Sequence, residues 1–366
     1  MVLARDVEVF NPLWKGLRRR RSPEPCTIVI FGASGDLTHR KLMPALYRLG
    51  QSGLLPAGFA IVGFARRPWT DDEFRAEMRA AVVKFAGEAV HAEVWDSIAA
   101  GISYVQGSFD EPDAYLRLRD RLAEIDRTRG TGGNALYYLA TPPTAYDDIT
   151  KHLGAVGLAH PSEGGWRRMV IEKPFGHDLA SANQLNRVVN RVFNEDQVYR
   201  IDHYLGKETV QNVSVVRFVN GIFEPLWNHR YVDNVQIAVA EDLGVGTRGA
   251  YFEESGLLRD IIQNHALQLL TVVAMEPPVR FVANAVRDEK VKVLQALRAV
   301  DPRRDVVRGQ YGPGTINGQA VPGYRQEDGV APDSSVETYA ALRLYIDNWR
   351  WSGVPFYIRG GKRLPK

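Results

Sequence analysis

The sequence predicts an α/β fold with a doubly wound parallel sheet, followed by an α+β domain whose sheet is mostly antiparallel. Up to about residue 200, short apolar runs alternate with longer stretches of helical periodicity. The first apolar run, residues 27–31, leads through a glycine-containing turn into a helical stretch at residues 41–49. Beyond residue 200, strand-like runs alternate apolar and polar residues, which is typical of strands with one buried face.

The strands predicted for the first sheet are short, apolar and separated by polar stretches that favour helices. They cover residues 27–31, 60–64, 102–105, 135–140, 168–171 and 198–201. Repeated β-α units of this kind are expected to form a parallel sheet, because each helix returns the chain to the edge where the previous strand began.

The second half of the chain mixes helical and strand-like segments. Residues 232–240 alternate apolar and polar side chains, which predicts an antiparallel strand, and residues 336–346 predict another. Two helices are expected at residues 251–275 and 288–300. Residues 302–332 are rich in Gly, Pro, Asp and Arg, so we expect an irregular excursion there.

These patterns divide the chain into three parts. Residues 1–24 contain four consecutive arginines, followed by a proline-containing stretch instead of the apolar segment of a signal peptide. We therefore expect a flexible basic arm. Residues 25–202 form the predicted α/β domain, and residues 203–366 form the predicted α+β domain.

Composition and charge exclude several classes of protein. With 45% hydrophobic and 24% charged residues, the chain has the composition of a globular protein, not of a disordered or fibrous one. Its 46 basic residues nearly balance its 43 acidic ones, so bulk charge gives no support for nucleic-acid binding. No apolar run reaches the length of a membrane span, so we expect no membrane partner. The single cysteine, Cys26, cannot form an internal disulfide, which favours a cytoplasmic location.

A glycine-containing turn follows the first predicted strand and opens the first helix. There, a phosphate group can meet exposed backbone N–H groups and the positive end of the helix dipole. The spacing is Gly-x-x-Gly, and an ordinary tight turn remains the alternative. The turn therefore indicates a Rossmann-type dinucleotide site, with these residues as candidates: Gly32, Ala33, Ser34, Gly35, Asp36, Leu37 and Thr38.

The residues after the second predicted strand favour NADP over NAD. An NAD site usually has an acidic residue about 20 positions past the glycines, where it binds the ribose 2′-hydroxyl. No Asp or Glu occurs between Asp36 and Asp71, and the strand instead leads into Arg66 and Arg67. Guanidinium groups suit a 2′-phosphate, so NADP is the expected cofactor, while additional use of NAD stays open.

Three later segments concentrate polar residues where chemistry could occur. Lys173 follows a predicted strand, and a surface turn is the alternative. The segment 200–207 has Asp, His, Tyr and Lys close together, which suits a phosphorylated substrate, although a polar loop is also possible. His265 lies on an apolar helical face, where it could be a core histidine or a general base oriented by a carboxylate.

Four motifs, in chain order, resemble the glucose-6-phosphate dehydrogenase family. They are Gly-Ala-Ser-Gly-Asp-Leu at 32–37, Glu-Lys-Pro-Phe-Gly at 172–176, Arg-Ile-Asp-His-Tyr-Leu-Gly-Lys at 200–207 and Arg-Asp-x-x-Gln-Asn-His at 259–265. The resemblance covers residues 27–366. It implies oxidation of D-glucose 6-phosphate at C1 to 6-phospho-D-glucono-1,5-lactone with NADP, the first step of the oxidative pentose phosphate pathway.

The resemblance also implies a role for each matching residue. His265 would be the general base, with Asp202 orienting it and stabilising its charged form. No metal is implied, because hydride passes directly from C1 to the nicotinamide. The implied phosphate-binding residues are His203, Tyr204 and Lys207; the sugar-binding residues are Lys173, Glu241, Asp260 and Lys362; the cofactor-binding residues are 32–38, Arg66, Tyr146 and Lys173.

The resemblance further implies a homodimer or higher homo-oligomer for the full-length form. Members of the family usually continue past a Gly-Gly-Lys segment such as residues 360–362, so we expect the second domain to be truncated here. Two alternatives remain at this point. One is a sugar dehydrogenase of the glucose-fructose oxidoreductase type, and the other is a non-catalytic relative that binds nucleotide.

Overall fold

The computed structural model describes residues 23–161, 164–176, 178–316 and 318–364. The chain divides into two units, Met1–Ile201 and Asp202–Lys366. Asp202, which the sequence analysis placed at the end of the first domain, therefore falls in the second unit. Nearly all of the predicted basic arm lies outside the described residues, since only its last two positions are included.

The first unit is built on a parallel sheet. Its strands are β1 (Thr27–Phe31), β2 (Ala60–Ala65), β3 (Ile102–Gln106), β4 (Ala135–Leu139), β5 (Arg167–Glu172) and β6 (Val198–Ile201). Among the described residues they form one six-stranded sheet with the order β3-β2-β1-β4-β5-β6, and every pairing is parallel. The strand order reverses direction between β1 and β4, which is where ligands bind in open α/β sheets. The predicted doubly wound fold is confirmed.

Helices connect successive strands of this sheet. They are α1 (Met43–Gln51), α2 (Asp71–Phe85), α3 (Ala92–Ala99), α4 (Pro112–Arg129), α5 (Tyr146–Ala155) and α6 (Leu179–Asn190). A π-helical turn, Thr38–Leu42, precedes α1. The start of α2 is set by Thr70, whose hydroxyl accepts a hydrogen bond from the backbone N–H of Glu73 while the Glu73 carboxylate accepts one from the Thr70 N–H.

The core of the first unit lies on both faces of its sheet. Successive strand residues point to opposite faces, so Val29 and Phe31 pack into one hydrophobic cluster while Ile30 packs into another. All three are essentially buried. Such burial on two faces explains why residues 28–31 are continuously apolar and do not alternate.

The second unit combines a four-stranded mixed sheet with helices. Its helices are α7 (Glu208–Phe218), α8 (Gly249–Leu257), α9 (Leu267–Ala274) and α10 (Ala283–Gln295), with a π-helical segment, Leu258–Ala266, between α8 and α9. Its strands are β7 (Val235–Glu241), β8 (Val306–Gly309), β9 (Gly314–Ile316), β10 (Gln319–Val321), β11 (Tyr339–Tyr345) and β12 (Pro355–Lys362). The larger sheet has the order β7-β12-β11-β8. Within the described residues, no helix is both long and apolar enough to cross a membrane.

Two predictions for the second unit need correction. The strand predicted at residues 232–240 exists as β7, but it pairs with β12 in parallel, whereas β11 pairs antiparallel with both β12 and β8. An alternating pattern shows which face is buried and carries no information about strand direction. The excursion at residues 302–332 is also more ordered than predicted, since it contains β8, β9 and β10.

The helix predicted at residues 251–275 is interrupted. Gly256 has φ = 64° and ψ = 175°, a conformation that essentially only glycine adopts, and it separates α8 from the π-helical segment. The carboxylate of Glu337 accepts a hydrogen bond of 3.0 Å from the N–H of Leu258, just after the break. The predicted helix at residues 288–300 begins earlier and ends earlier, as α10.

Candidate active site

The glycine turn of the first unit follows β1 at the carboxyl edge of the sheet. Gly32 has φ = 83°, and a Cβ atom there would lie 2.3 Å from the carbonyl oxygen of Ala140, so only glycine fits. The N–H of Gly35 donates to the carbonyl of Gly32 at 2.9 Å, which closes the turn. The side chains of Ala33 and Thr38 are fully buried, so these two residues can offer a ligand only backbone groups.

Arg66 extends from the end of the neighbouring strand. β2 pairs with β1 in parallel, so the residues after β2 lie at the same edge of the sheet as the glycine turn. Arg66 is exposed and forms no hydrogen bond or ion pair with any residue that the structure describes. Arg67 instead places its guanidinium 5.1 Å from the ring centre of Trp69. Arg66 is therefore available to an anionic ligand at this edge.

Two tyrosines flank Glu172 near the ends of β4 and β5. The Tyr138 hydroxyl donates a short hydrogen bond to the Glu172 carboxylate. Burial, and then the charge of Glu172, raises the pKa of Tyr146 to about 12. Lys173 follows directly and is partly buried. Tyr146 and Lys173, both predicted to bind cofactor, thus lie at the carboxyl edge of the sheet, close to Glu172.

In the second unit, Asp202 and His265 form a hydrogen-bonded pair. The Nδ1 atom of His265 lies 2.8 Å from Oδ2 of Asp202 and 2.7 Å from its Oδ1. Oδ1 also accepts a hydrogen bond of 3.0 Å from the backbone N–H of Tyr204. Burial alone would raise the pKa of Asp202, but the hydrogen bonds from His265 and Tyr204 hold it below its usual value. The carboxylate is therefore ionised near neutral pH.

His265 is almost completely buried, with 1% of its surface exposed. Its Nδ1 atom is held by Asp202, whereas no described residue forms a hydrogen bond with its Nε2 atom. A hydrogen bond at one imidazole nitrogen sets the tautomer and leaves the other nitrogen to accept a proton. The buried histidine that spacing alone could not assign is thus oriented by a carboxylate.

Tyr204 lies at the centre of this cluster. Its ring stacks on the His265 imidazole at a centroid distance of 3.9 Å and an angle of 13°. The Nζ atom of Lys207 lies 3.5 Å from the centre of the Tyr204 ring. Burial, and then the carboxylates of Glu241, Asp202 and Asp260, raises the pKa of Tyr204.

The segment 203–207 places its polar groups on one short turn. Residues His203–Gly206 form a 3₁₀ turn, and α7 begins directly after Lys207. The His203 ring is exposed and lies edge-on to His265 at 4.8 Å. His203 and Lys207 are both exposed. Two nitrogen-bearing side chains and a helix N-terminus therefore converge where an anionic group could bind.

Glu241 and Lys362 meet at the ends of two adjacent strands. They are register partners in the parallel pairing of β7 with β12. Lys362 Nζ lies 2.6 Å from Oε2 of Glu241, and the lysine side chain is only 3% exposed. Lys362 is the last residue of β12. The sheet thus holds the ammonium group in place.

The π-helical segment determines how Asp260 and His265 are oriented. Residues five apart lie about 140° apart around an α-helix, but a π-helix forms i→i+5 hydrogen bonds and brings them onto similar sides. Asp260 also accepts a 3.4 Å hydrogen bond from Tyr251. The predicted site residues therefore fall into two groups: one at the sheet edge of the first unit, and one around Tyr204 in the second.

Sequence reasoning did not identify every polar group near the second group. Lys290 on α10 donates a 3.1 Å hydrogen bond to Oε1 of Gln268, three residues after His265. Neither residue belongs to a motif, and no spacing rule connects α10 with the 200–207 segment. In the first unit, Tyr138 was likewise missed, because only the paired strands show that it reaches Glu172.

Asp202, His203 and His265 could also be considered as metal ligands. One nitrogen or oxygen atom from each lies within 4.8 Å of the others. The Asp202 carboxylate, however, is already hydrogen-bonded to His265 and to a backbone N–H. A metal would have to displace these hydrogen bonds, so the geometry fits a carboxylate-oriented histidine better than a metal site.

Two sequence families match most of the chain. "Glucose-6-phosphate dehydrogenase, NAD binding domain" matches residues 29–212, and "Glucose-6-phosphate dehydrogenase, C-terminal domain" matches residues 214–366. The boundary between the two matches lies close to the division between the two structural units.

Individual relatives give the same result. A glucose-6-phosphate 1-dehydrogenase of Chlamydia muridarum is 50% identical over 346 residues, which is 93% of this chain and 68% of that protein. The protein of the same name from Bacillus subtilis is 47% identical over 340 residues, or 92% of this chain and 68% of its own length. A glucose-6-phosphate dehydrogenase solved in complex with its substrate glucose 6-phosphate has a TM-score of 0.85 and 38% identity, covering 94% of this chain and 70% of that one.

Proposed function

This chain belongs to the glucose-6-phosphate dehydrogenase family, and we propose that it oxidises D-glucose 6-phosphate at C1 to 6-phospho-D-glucono-1,5-lactone, with NADP as acceptor. This reaction is the first step of the oxidative pentose phosphate pathway. The observation that carries the proposal is the 2.8 Å hydrogen bond between Asp202 and the buried His265.

His265 is the proposed general base. Oxidation of an alcohol removes a proton from the hydroxyl and a hydride from the carbon, and a neutral imidazole can take the proton near neutral pH. Nε2 is the nitrogen that Asp202 leaves unbonded, so it is the atom that accepts this proton. The ionised Asp202 carboxylate then stabilises the positively charged imidazolium.

The substrate phosphate is assigned to His203, Tyr204 and Lys207. Lys207 is held over the Tyr204 ring, and Tyr204 stacks on His265, so a phosphate bound there is fixed relative to the base. Binding energy from this remote group can position C1 for reaction. The sugar hydroxyls are assigned to Glu241, Asp260 and Lys362 of the second unit.

The residues of the first unit fit a dinucleotide cofactor. A Cβ atom at Gly32 would clash with the backbone, so only glycine allows the tight turn at this position. The turn presents backbone N–H groups to a phosphate. Arg66 forms no hydrogen bond or ion pair with any described residue, and its guanidinium suits the 2′-phosphate that distinguishes NADP from NAD. Residues 32–38, Tyr146 and Lys173 complete the proposed site. NADP, when bound, supplies the acceptor for the hydride from C1.

We also propose a cytoplasmic location and a homo-oligomeric form. Cys26 is a free thiol, as is usual in reducing compartments. Several large apolar side chains of the second unit are exposed, including Val219, Ile222 and Val279, which is consistent with a surface that another chain covers.

The proposal is tested by following NADPH absorbance with purified protein, NADP and glucose 6-phosphate. We expect NADPH formation that requires the sugar phosphate and is weaker with NAD or with unphosphorylated glucose. The His265→Asn variant should lower kcat by about 10²- to 10⁴-fold, because general base catalysis contributes that much. Addition of EDTA should leave the rate unchanged.

His160→Asn is the matched control, since this exposed histidine lies in the first unit and outside the proposed site. It should keep the wild-type rate. Turnover that survives in His265→Asn, or a rate that EDTA abolishes, would contradict the assignment of the base.

A further inference from the structure

The backbone takes an unusual conformation just after the Glu241–Lys362 pair. β12 ends at Lys362, and Arg363 then adopts φ = 54°. Among the described residues, no other non-glycine residue has a positive φ. A left-handed backbone is unfavourable for a residue with a Cβ atom, so the surroundings must hold it in place. It occurs here directly beside a proposed sugar-binding residue.

The turn after β12 folds back over the end of β7. The N–H of Leu364 donates to the carbonyl of Glu241 at 2.9 Å, and the N–H of Arg363 donates to the carbonyl of Leu243 at 3.3 Å. Glu241 is thus bonded at two points, its carboxylate to the Lys362 ammonium and its carbonyl to the N–H of Leu364. The position of Lys362 relative to Glu241 therefore depends on the turn that follows the strand.

The side chain of Arg363 holds this turn through a largely buried ion pair. Its Nη2 atom donates to Oε1 of Glu327 at 2.8 Å, and the two side chains are 15% and 9% exposed. The Tyr311 hydroxyl donates to the same oxygen at 2.9 Å, and the Arg363 guanidinium lies 5.2 Å from the centre of the Tyr311 ring. Arg363, Glu327 and Tyr311 thus form a clasp that holds the turn against residues 311–327.

The clasp packs closely against the loop after β7. A Cβ atom at Gly244 would lie 2.6 Å from Oε1 of Glu327 and 2.8 Å from Nε of Arg363. The backbone N–H of Val245 donates to the Tyr311 hydroxyl at 3.2 Å. The clasp therefore contacts the loop after β7 as well as the turn after β12, and it holds the ends of these two strands together.

We propose that Arg363 is a positioning residue for Lys362: its ion pair with Glu327 holds the turn after β12 and so keeps the Lys362 ammonium in place before the sugar binds. The inference rests on the proposed function, which assigns sugar hydroxyls to Glu241 and Lys362. Side chains that are already ordered lose less conformational entropy on binding, so a preorganised pair binds the substrate more tightly. Arg363 acts through Lys362 and is assigned no contact with the substrate.

Removal of either charge of the clasp should weaken substrate binding more than catalysis. We expect Arg363→Met and Glu327→Gln each to raise the KM for glucose 6-phosphate about tenfold, as ordering one or two long side chains on binding would require. The kcat should change much less, because the Asp202–His265 pair is not part of the clasp. Arg363→Lys keeps a positive charge and should raise the KM less than Arg363→Met.

Two comparisons separate the clasp from a general loss of stability. The double variant Arg363→Met, Glu327→Gln should raise the KM no more than either single variant, since each already breaks the same ion pair. Arg359→Met is the matched control, because Arg359 is an exposed arginine of β12 that forms no hydrogen bond or ion pair with any described residue. It should keep the wild-type KM.

A second measurement does not depend on activity. Lys362 is only 3% exposed, so acetic anhydride should acetylate it slowly in the ligand-free protein. Peptide mass spectrometry should show severalfold faster acetylation of Lys362 in Arg363→Met and Glu327→Gln, but not in Arg359→Met. Lys290 on α10 is the internal reference, because it is partly buried in the same unit and would also react faster if the unit unfolded.

The outcomes separate the two proposals. Faster acetylation of Lys362 in a protein that does not oxidise glucose 6-phosphate would contradict the proposed function and support the hold of the clasp on Lys362. Unchanged acetylation of Lys362, or an unchanged KM in an active protein, would overturn the role of Arg363. Acetylation of Lys290 that rises as much as that of Lys362 would also overturn it, because unfolding of the unit would then explain both.

Discussion

At the scale of single residues, Arg217 connects α7 with the end of α9. The proposed phosphate-binding residues directly precede α7, and the proposed base, His265, lies in the π-helical segment that precedes α9. Arg217 lies on α7 and has no exposed surface. Its guanidinium donates to the carbonyls of Val272, Val273 and Met275, where α9 ends, and to the carboxylate of Glu224. The last carbonyls of a helix have no partner within the helix, so Arg217 satisfies them and fixes α7 against α9.

We predict that Arg217→Met lowers the free energy of unfolding by about 3–5 kcal/mol, because it leaves three carbonyls without this buried donor and leaves Glu224 with Arg350 as its remaining ion-pair partner. Chemical denaturation measures the change. Arg298→Met is the matched control, since Arg298 and Asp347 form an ion pair whose side chains are 55% and 51% exposed. That pair should contribute less than about 1 kcal/mol. Similar losses in both variants would contradict the argument.

At the scale of elements, the break at Gly256 determines where the helix that carries Asp260 and His265 begins. The backbone at Gly256 places the N–H of Leu258 against the Glu337 carboxylate, which caps the new helical segment. That segment is π-helical up to Ala266, so the break and the wide helical turns occur together in the part of the chain that carries the proposed base. Segments of π-helix are frequent at functional sites.

Gly256→Ala should therefore affect both stability and activity. A Cβ atom at this position would lie 2.7 Å from Oε1 of Glu337, and the backbone conformation itself costs a non-glycine residue about 1–3 kcal/mol. We expect at least this loss of unfolding free energy, and a lower kcat in the fraction that remains folded.

Gly221→Ala provides the control for this variant. A Cβ at Gly221 would meet no atom within 4 Å, and its φ lies outside the left-handed region. The free energy of unfolding of Gly221→Ala should differ from that of the wild type by less than about 0.5 kcal/mol, as for most surface substitutions. Thermal unfolding gives the stability of Gly256→Ala and Gly221→Ala, and initial rates give their activity. Equal stability of the two variants would contradict the argument that the helix break needs glycine at position 256.

At the scale of the whole molecule, each unit has its own hydrophobic core. Two clusters cover the two faces of the parallel sheet in the first unit. A third, formed by residues such as Phe252, Leu270 and Phe356, lies in the second. A unit with its own core can in principle fold by itself. The proposed cofactor-binding residues of the first unit and the proposed base of the second could therefore be studied in separate fragments.

We predict that residues 1–201, produced alone, fold and bind NADP but do not oxidise glucose 6-phosphate, because Asp202 and His265 are absent. NADP at about 100 times its Kd should stabilise this fragment by about 2.7 kcal/mol. Thermal unfolding with and without NADP measures the effect. Gly32→Ala should abolish the stabilisation, because its Cβ would clash with the Ala140 carbonyl. A fragment that remains unfolded would contradict the prediction.

Much of the first unit could be predicted from sequence, because strands such as β1 and β2 are buried on both faces and the glycine turn has a specific steric cause. The predicted strand at residues 27–31 coincides with β1, and that at 198–201 coincides with β6. Less of the second unit could be predicted. Alternation identified β7 but not its parallel pairing with β12, since direction depends on which distant strand becomes the neighbour.

The sequence by itself determined the fold class, the cofactor class and the residue types available for chemistry, since periodicity, turn residues and motifs are local properties. Only the tertiary structure decided which of those residues meet. His265 and Asp202 are 63 positions apart, and their hydrogen bond depends on how α7 and α9 pack. The π-helical geometry that orients Asp260, and the approach of Lys290 to Gln268, arise from packing between distant segments, which no local pattern records.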